Sequence, residues 1–213
     1  MKVTQFETTP NFFLRPYELK PTGGKMGGAD VIEVRDTPNR QKFTGFGVAV
    51  TGSSCYNLNL MPEDERKAFL DDIYSDSGLG LSVCRLSVAS SDYSAELYSY
   101  DDENADTSLE HFSVDRDDEY IVPMIKEVLK ARPDAYVFAS PWSPPGWMKT
   151  GGSMCGGYMR EQFIDCYAEY IIRFIEEYKK RGIRIDALTA QNETETDQAG
   201  RTVSYTHLTL PTS

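Results

Sequence analysis

The sequence predicts an α/β fold built on a parallel sheet, and three observations carry that prediction. From about residue 43, strand-like and helix-like runs alternate in the order βαβαβαβ, the pattern of a parallel sheet with helices packed outside it. Each strand-like run ends in or just before a polar or aromatic residue: Thr51, Asp92, Trp142 and Asn192-Glu193. The composition is that of a packed chain, with 40% hydrophobic and 26% charged residues among 213, which argues against wholesale disorder. No stretch approaches the roughly 18 uninterrupted apolar residues of a membrane span. The net charge of −11, with no Lys/Arg stripe, argues against a nucleic-acid partner.

The elements follow in chain order. Residues 1–42 read as short extended pieces: Val3, Phe6, Phe12-Phe13-Leu14 and Val31-Ile32-Val34, separated by turn signals such as Thr9-Pro10-Asn11 and Gly23-Gly24. Gly47 to Thr51 is a first parallel strand. A helix opens at Pro62-Glu63-Asp64-Glu65, where proline and acids suit the positive end of the helix dipole. Ala68, Phe69, Ile73 and Tyr74 form its apolar stripe. Leu81 to Val88 is a second strand, followed by a polar excursion over residues 90–118 rich in Asp, Ser and Tyr. Ile121, Met124, Ile125, Val128 and Leu129 recur at helical spacing, and Pro133 limits that helix. Ala135 to Ser140 is a third strand, running into Pro141-Trp142-Ser143-Pro144-Pro145-Gly146-Trp147. Phe163, Tyr167, Tyr170, Ile171, Phe174 and Tyr178 mark a helix over 160–180, with Glu176–Lys180 and Glu177–Arg181 as i,i+4 pairs and Gly182 as its stop. Ile185 to Ala190 is a fourth strand.

In a parallel α/β sheet the carboxyl ends of the strands share one edge, so the strand-end residues converge there. The chemistry available at that edge is carboxylates and tryptophans. Aromatic faces stack on the C–H faces of sugars, and paired carboxylates are what glycoside hydrolysis requires. Other reactions lack their residues. Gly45-Phe46-Gly47 misses the third glycine of a dinucleotide turn, and there is neither a phosphate-binding loop nor a G-x-S-x-G elbow. The four cysteines, Cys55, Cys84, Cys155 and Cys166, form no C-x-x-C pair, and the two histidines are His111 and His207. No zinc spacing results, and no metal or cofactor is expected.

Five segments in order resemble glycoside hydrolase family 30, the glucosylceramidase-like enzymes. They are Gly45 to Thr51, Cys84 to Ser94, Glu110 to Val114, Ala139 to Thr150 and Leu188 to Glu193. The resemblance implies a retaining mechanism on a (β/α)8 barrel with a β-sandwich side domain, to which residues 1–42 would belong. It implies that Glu193 is the general acid/base and that Asn192 bonds the sugar 2-hydroxyl and supports the nucleophile. It further implies that Asp92 and Trp142 hold the non-reducing-end sugar and that Arg85 lies near the carboxylates. The expected partner is a β-linked glycoside or glycolipid. Thr194 stands where the family often has proline, and Gly52 where an acidic residue is usual. These departures leave glucosylceramide, a plain β-glucoside, a β-1,6-glucan and a β-xyloside open as substrates.

Plainer readings stand beside these. Asp92 could cap the turn Ser91-Asp92-Tyr93-Ser94, Trp142 could be core packing between prolines, and Arg85 could neutralise an acidic barrel wall. Glu195 and Asp197 read as a solvated rim, Cys84 as a buried apolar group and His111 as structural. A non-catalytic carbohydrate-binding barrel is the second functional reading, and an unrelated barrel hydrolase with Asn-Glu after its fourth strand is a third.

Four strands occupy the barrel segment 43–201, whereas a complete barrel takes about 250 residues. The expectation is therefore the first four β/α units of a larger barrel, with the nucleophile after a seventh strand and this polypeptide inactive alone. Residues 202–213 read as a non-native tail, because 203–213 resemble a translated sequencing adapter. No apolar secretory segment follows Met1. A cytoplasmic setting is expected, with secretion as the alternative if further residues precede Met1.

Overall fold

The computed structural model describes residues 3–20, 23–24 and 41–193. The expected strand around Val31–Val34, the acidic rim at Glu195 and Asp197, and the tail with His207 lie outside the described residues. The chain divides into two compact units, residues 1–42 and 43–213.

The first unit is an antiparallel hairpin of β1 (Val3–Thr9) and β2 (Phe12–Leu19). Its register runs from Val3 opposite Leu19 to Thr9 opposite Phe12. Pro10 and Asn11 turn the chain, and the Asn11 N–H donates to Thr9 Oγ1 at 3.3 Å. The guanidinium of Arg15 lies 4.8 Å from the Phe12 ring centre and 5.2 Å from that of Tyr17.

The second unit is a four-stranded parallel sheet of β3 (Gly47–Ala49), β4 (Val83–Val88), β5 (Tyr136–Pro141) and β6 (Ala187–Leu188), neighbouring in that order. Sequential order without reversal is the growth pattern of a singly wound barrel, since a doubly wound sheet would switch direction. The connections carry α1 (Gly52–Asn59), α2 (Glu63–Tyr74), α3 (Ile121–Ala131) and α4 (Ile164–Lys180). Strand β4 alternates strictly, with Cys84, Leu86 and Val88 buried and Val83, Arg85 and Ser87 half-buried. The buried set packs with Val137 and Ala139 against helix residues such as Leu70, Ile125, Val128 and Phe174. Arg85 therefore lies on the face turned away from the helices. Gly47 allows β3 to approach β4: a Cβ there would sit 2.0 Å from the Val83 carbonyl oxygen. Burial pushes the Cys84 thiol up to about 12, so it acts as a packing group.

Local chemistry explains the helices. Glu63, Asp64 and Glu65 fill the first turn of α2. Pro123 falls within the first turn of α3, where an N–H has no partner inside the helix. Helix α4 ends in a Schellman turn: Gly182, at φ +80°, donates to the Lys179 carbonyl at 3.0 Å, and Ile183 to that of Tyr178 at 2.9 Å. Arg181 pairs with Glu177 at 2.7 Å, as the spacing predicts. Lys180 instead pairs with Glu177 at i,i+3 rather than with Glu176, because i+3 and i+4 neighbours share a helix face.

The excursion between β4 and α3 has little regular structure, yet its polar groups are tied down. The buried Asp101 accepts from Glu103 N–H through Oδ1, while its carbonyl accepts the Trp147 indole N–H at 3.0 Å. Its Oδ2 is buried without a hydrogen-bond partner among the described residues. Burial, then the neighbouring Asp106 carboxylate, raise its pKa from 3.8 to about 6. A folded value above the unfolded one confers stability that is complete below about 3.8 and lost as pH rises through about 6. Asp101→Asn should therefore raise the melting temperature at pH 8 and leave it close to wild type at pH 4. Equal shifts at both pH values in thermal melts would contradict this.

Candidate active site

The carboxyl ends of the four parallel strands are fastened to one another. At β3, the Val50 N–H donates to the Arg85 carbonyl at 2.8 Å. Thr51 then caps α1, its Oγ1 accepting the Ser54 N–H at 3.2 Å. The strand-end polar group read from the sequence is thus also a helix cap, opening a helix that the sequence reading missed.

At β4 the chain passes through Ala89, a non-glycine residue at φ +61°. Ser90 holds it there, donating to the Tyr98 carbonyl at 2.7 Å and accepting the Tyr98 N–H at 3.0 Å. The following turn is made by serines: Ser91 N–H donates to Ser94 Oγ, and Tyr93 N–H to Ser91 Oγ. The Tyr93 carbonyl accepts Ser53 N–H at 2.8 Å. Asp92 sits on this turn, exposed, and makes no side-chain hydrogen bond or ion pair among the described residues. It is not the cap of its own turn.

At β5, Trp142 is 7% exposed. The Arg85 guanidinium lies over its ring, 4.6 Å from the centre. This flat cation suits an aromatic face. Arg85 Nη2 also donates to Asn192 Oδ1 at 2.5 Å. At β6, Thr189 N–H donates to the Ala139 carbonyl at 3.0 Å and Asn192 N–H to that of Pro141 at 2.9 Å. The hydroxyls of Ser140 and Thr189 lie 2.5 Å apart. Glu193 follows at φ +47°, a conformation costing a non-glycine residue about 1–2 kcal/mol. Its carboxylate is exposed and makes no hydrogen bond or ion pair among the described residues.

These ends border an open cavity of about 360 Å³. Arg85, Asp92, Trp142, Asn192 and Glu193 all line it, together with Thr51, Ser54 and Tyr93. All five residues singled out in the sequence are therefore brought together, from segments as far apart as residues 85 and 193. Tyr93 and Ser54 were not singled out. Tyr93 belongs to the quoted second-strand segment and was given no role, while Ser54 belongs to the unforeseen helix. His111 lies away from the cavity, hydrogen-bonded through Nδ1 to Asp106 at 3.0 Å.

This arrangement can seat a small polar ring, with an aromatic side chain beside it, amide and guanidinium donors, and two carboxylates. Comparison with known proteins gives the same direction. The model of the Glycosyl hydrolase family 30 TIM-barrel domain matches residues 43–209. The chain is 35% identical over 177 residues to the lysosomal acid glucosylceramidase of Mus musculus, covering 79% of this chain and 34% of that protein. It is 33% identical over 183 residues to an endo-1,6-β-D-glucanase of Neurospora crassa, covering 82% of this chain and 38% of that protein. The crystal structure of SrfJ from Salmonella typhimurium superposes with a TM-score of 0.80 at 30% identity, over 97% of this chain and 46% of that one. The chain thus spans 34–46% of the length of these relatives. With the family model matching most of the chain, and a barrel-type sheet carrying the cavity, the chain belongs to glycosyl hydrolase family 30 through its TIM-barrel domain.

Proposed function

We propose that the protein to which this barrel segment contributes hydrolyses β-glycosides with retention of configuration. In this reading Glu193 is the general acid/base, protonating the leaving oxygen and later activating water. Asn192 bonds the sugar 2-hydroxyl, Asp92 and Trp142 hold the sugar ring, and Arg85 orients Asn192. The observation that carries the reading is the meeting of these five side chains in one cavity at the carboxyl edge of the sheet. The left-handed backbone at Glu193 supports it, because such strain concentrates at functional positions.

A β-glucosyl unit is the proposed substrate, as the names of the two relatives imply for those proteins. The nucleophile, a second carboxylate about 5–5.5 Å from the first in a retaining enzyme, would come from a later strand of the barrel. A polypeptide of these 213 residues alone is accordingly expected to release no aryl group from aryl β-glucosides. Robust turnover by it would overturn that assignment of the nucleophile.

The test is an assay of the complete barrel on p-nitrophenyl β-D-glucoside, a β-1,6-glucan and glucosylceramide. Hydrolysis of at least one is expected. Sugar binding without turnover of any of them would favour the non-catalytic carbohydrate-binding reading.

A further inference from the structure

Gln191 takes no part in the roles above, yet it stands behind three of the residues that do. It is 8% exposed and sits between the ends of β5 and β6. Its Nε2 donates to the Trp142 carbonyl at 2.6 Å and to the Asn192 carbonyl at 3.1 Å. Both amide protons are thereby used on carbonyl oxygens, so the amide has one workable orientation: turned over, it would set an oxygen against two oxygens. The contacts close a ring. Gln191 holds the Trp142 carbonyl, Arg85 covers the Trp142 indole, Arg85 holds the Asn192 carboxamide, and the Asn192 carbonyl returns to Gln191. Glu193, at φ +47°, is the next residue.

We propose that Gln191 is a positioning residue, whose amide ties the Trp142 and Asn192 carbonyls together and so sets the indole, the carboxamide and the following Glu193 in place. The proposal rests on reading the cavity as a glycosidase site. Gln191 would not touch substrate, because its own atoms lie beneath the cavity wall rather than among the residues lining it. Misplacing a reacting group by about 1 Å can cost about 10²-fold in rate, so a lost tie should be visible in turnover.

Two variants of the complete enzyme test this. Gln191→Met keeps the length and removes the donors. Gln191→Glu keeps the shape but turns acceptors toward both carbonyls until it is protonated, when its O–H can donate. With 5-fluorotryptophan incorporated, the 19F resonance of Trp142, assigned by its loss in Trp142→Phe, should move in both variants. Per active site titrated with a covalent glycosyl inactivator, kcat/KM should fall about 10- to 100-fold in Gln191→Met. In Gln191→Glu the loss should be as large at neutral pH and shrink severalfold, relative to wild type, as pH falls toward 4.

An unmoved Trp142 resonance, with kcat and KM per titrated site within twofold of wild type, would overturn the proposal while leaving the glycosidase reading intact. A moved resonance in a protein whose wild type hydrolyses no β-glycoside would overturn that reading and keep the positioning. If Gln191→Met fails to fold, the pH dependence of Gln191→Glu decides: recovery at low pH supports the tie, and a loss independent of pH overturns it.

Discussion

Glu193→Gln in the complete enzyme is expected to cut hydrolysis of alkyl β-glucosides by about 10³- to 10⁴-fold, the upper range for general acid catalysis. The same change should lower the rate of glycosyl transfer from dinitrophenyl glucosides far less. The asymmetry follows from the chemistry. A poor leaving group departs only as its oxygen is protonated, whereas a dinitrophenolate leaves unaided. Glutamine keeps the shape and the left-handed backbone of Glu193 but has no proton to give. Rates on the two substrates should be measured side by side, with steady-state and burst phases separated. Equal losses on both would assign Glu193 to binding or folding instead.

The second large effect concerns stability. Asp117 is 1% exposed, and three phenols donate to its carboxylate. Tyr98 reaches Oδ1 at 2.9 Å, while Tyr100 and Tyr178 reach Oδ2 at 2.6 and 2.7 Å. Burial pushes this carboxyl up, the three hydroxyls pull it down, and the net direction is upward. Tyr100 also stacks on Phe174, their ring centres 5.8 Å apart and planes 8° from parallel. One carboxylate thus joins the excursion after β4 to helix α4. Outside it, Arg181 makes a second tie, pairing with Asp118 and Asp115 at 2.7 Å each.

Asp117→Ala would leave three buried hydroxyls without an acceptor, each worth about 1–3 kcal/mol. A loss of about 3–5 kcal/mol is expected, comparable to breaking a buried ion pair. That is a large share of the roughly 5–15 kcal/mol by which domains are stable. Asp117→Asn, which keeps one carbonyl acceptor, should lose about 1–2 kcal/mol. Urea unfolding of both variants checks the order; an alanine variant within 1 kcal/mol of wild type would show the hub to be dispensable.

Regular patterns were legible in the sequence, and contacts within irregular backbone were not. The second strand, found at Val83–Val88, the stripe through Tyr167, Tyr170, Phe174 and Tyr178, and the stop at Gly182 each appear as read. Helix α1 escaped notice because Gly52-Ser53-Ser54 form helices poorly. Its support comes from the Thr51 cap and the burial of Cys55. Strand β6 spans two residues rather than six, for a local reason. The Asp186 carboxylate takes the Val137 N–H at 2.9 Å, a side chain standing in for a ladder partner. The tyrosine hub lay hidden in a stretch that reads as merely polar, because an irregular chain has no period to betray which face is buried.

The site residues were legible through motif order, and topology then places them around one cavity. Gln191 was quoted within its motif and passed over, since nothing in a linear sequence marks a side chain that holds two backbone carbonyls.

The most direct test of Glu193 and its role is the product formed when azide is added to Glu193→Ala in the complete enzyme, with dinitrophenyl β-glucoside as donor. With the general base gone, a small anion that needs no deprotonation can attack the covalent glycosyl intermediate. The account predicts faster turnover with azide and a β-configured glycosyl azide as product. An α-configured azide, or no response to azide at all, would contradict it.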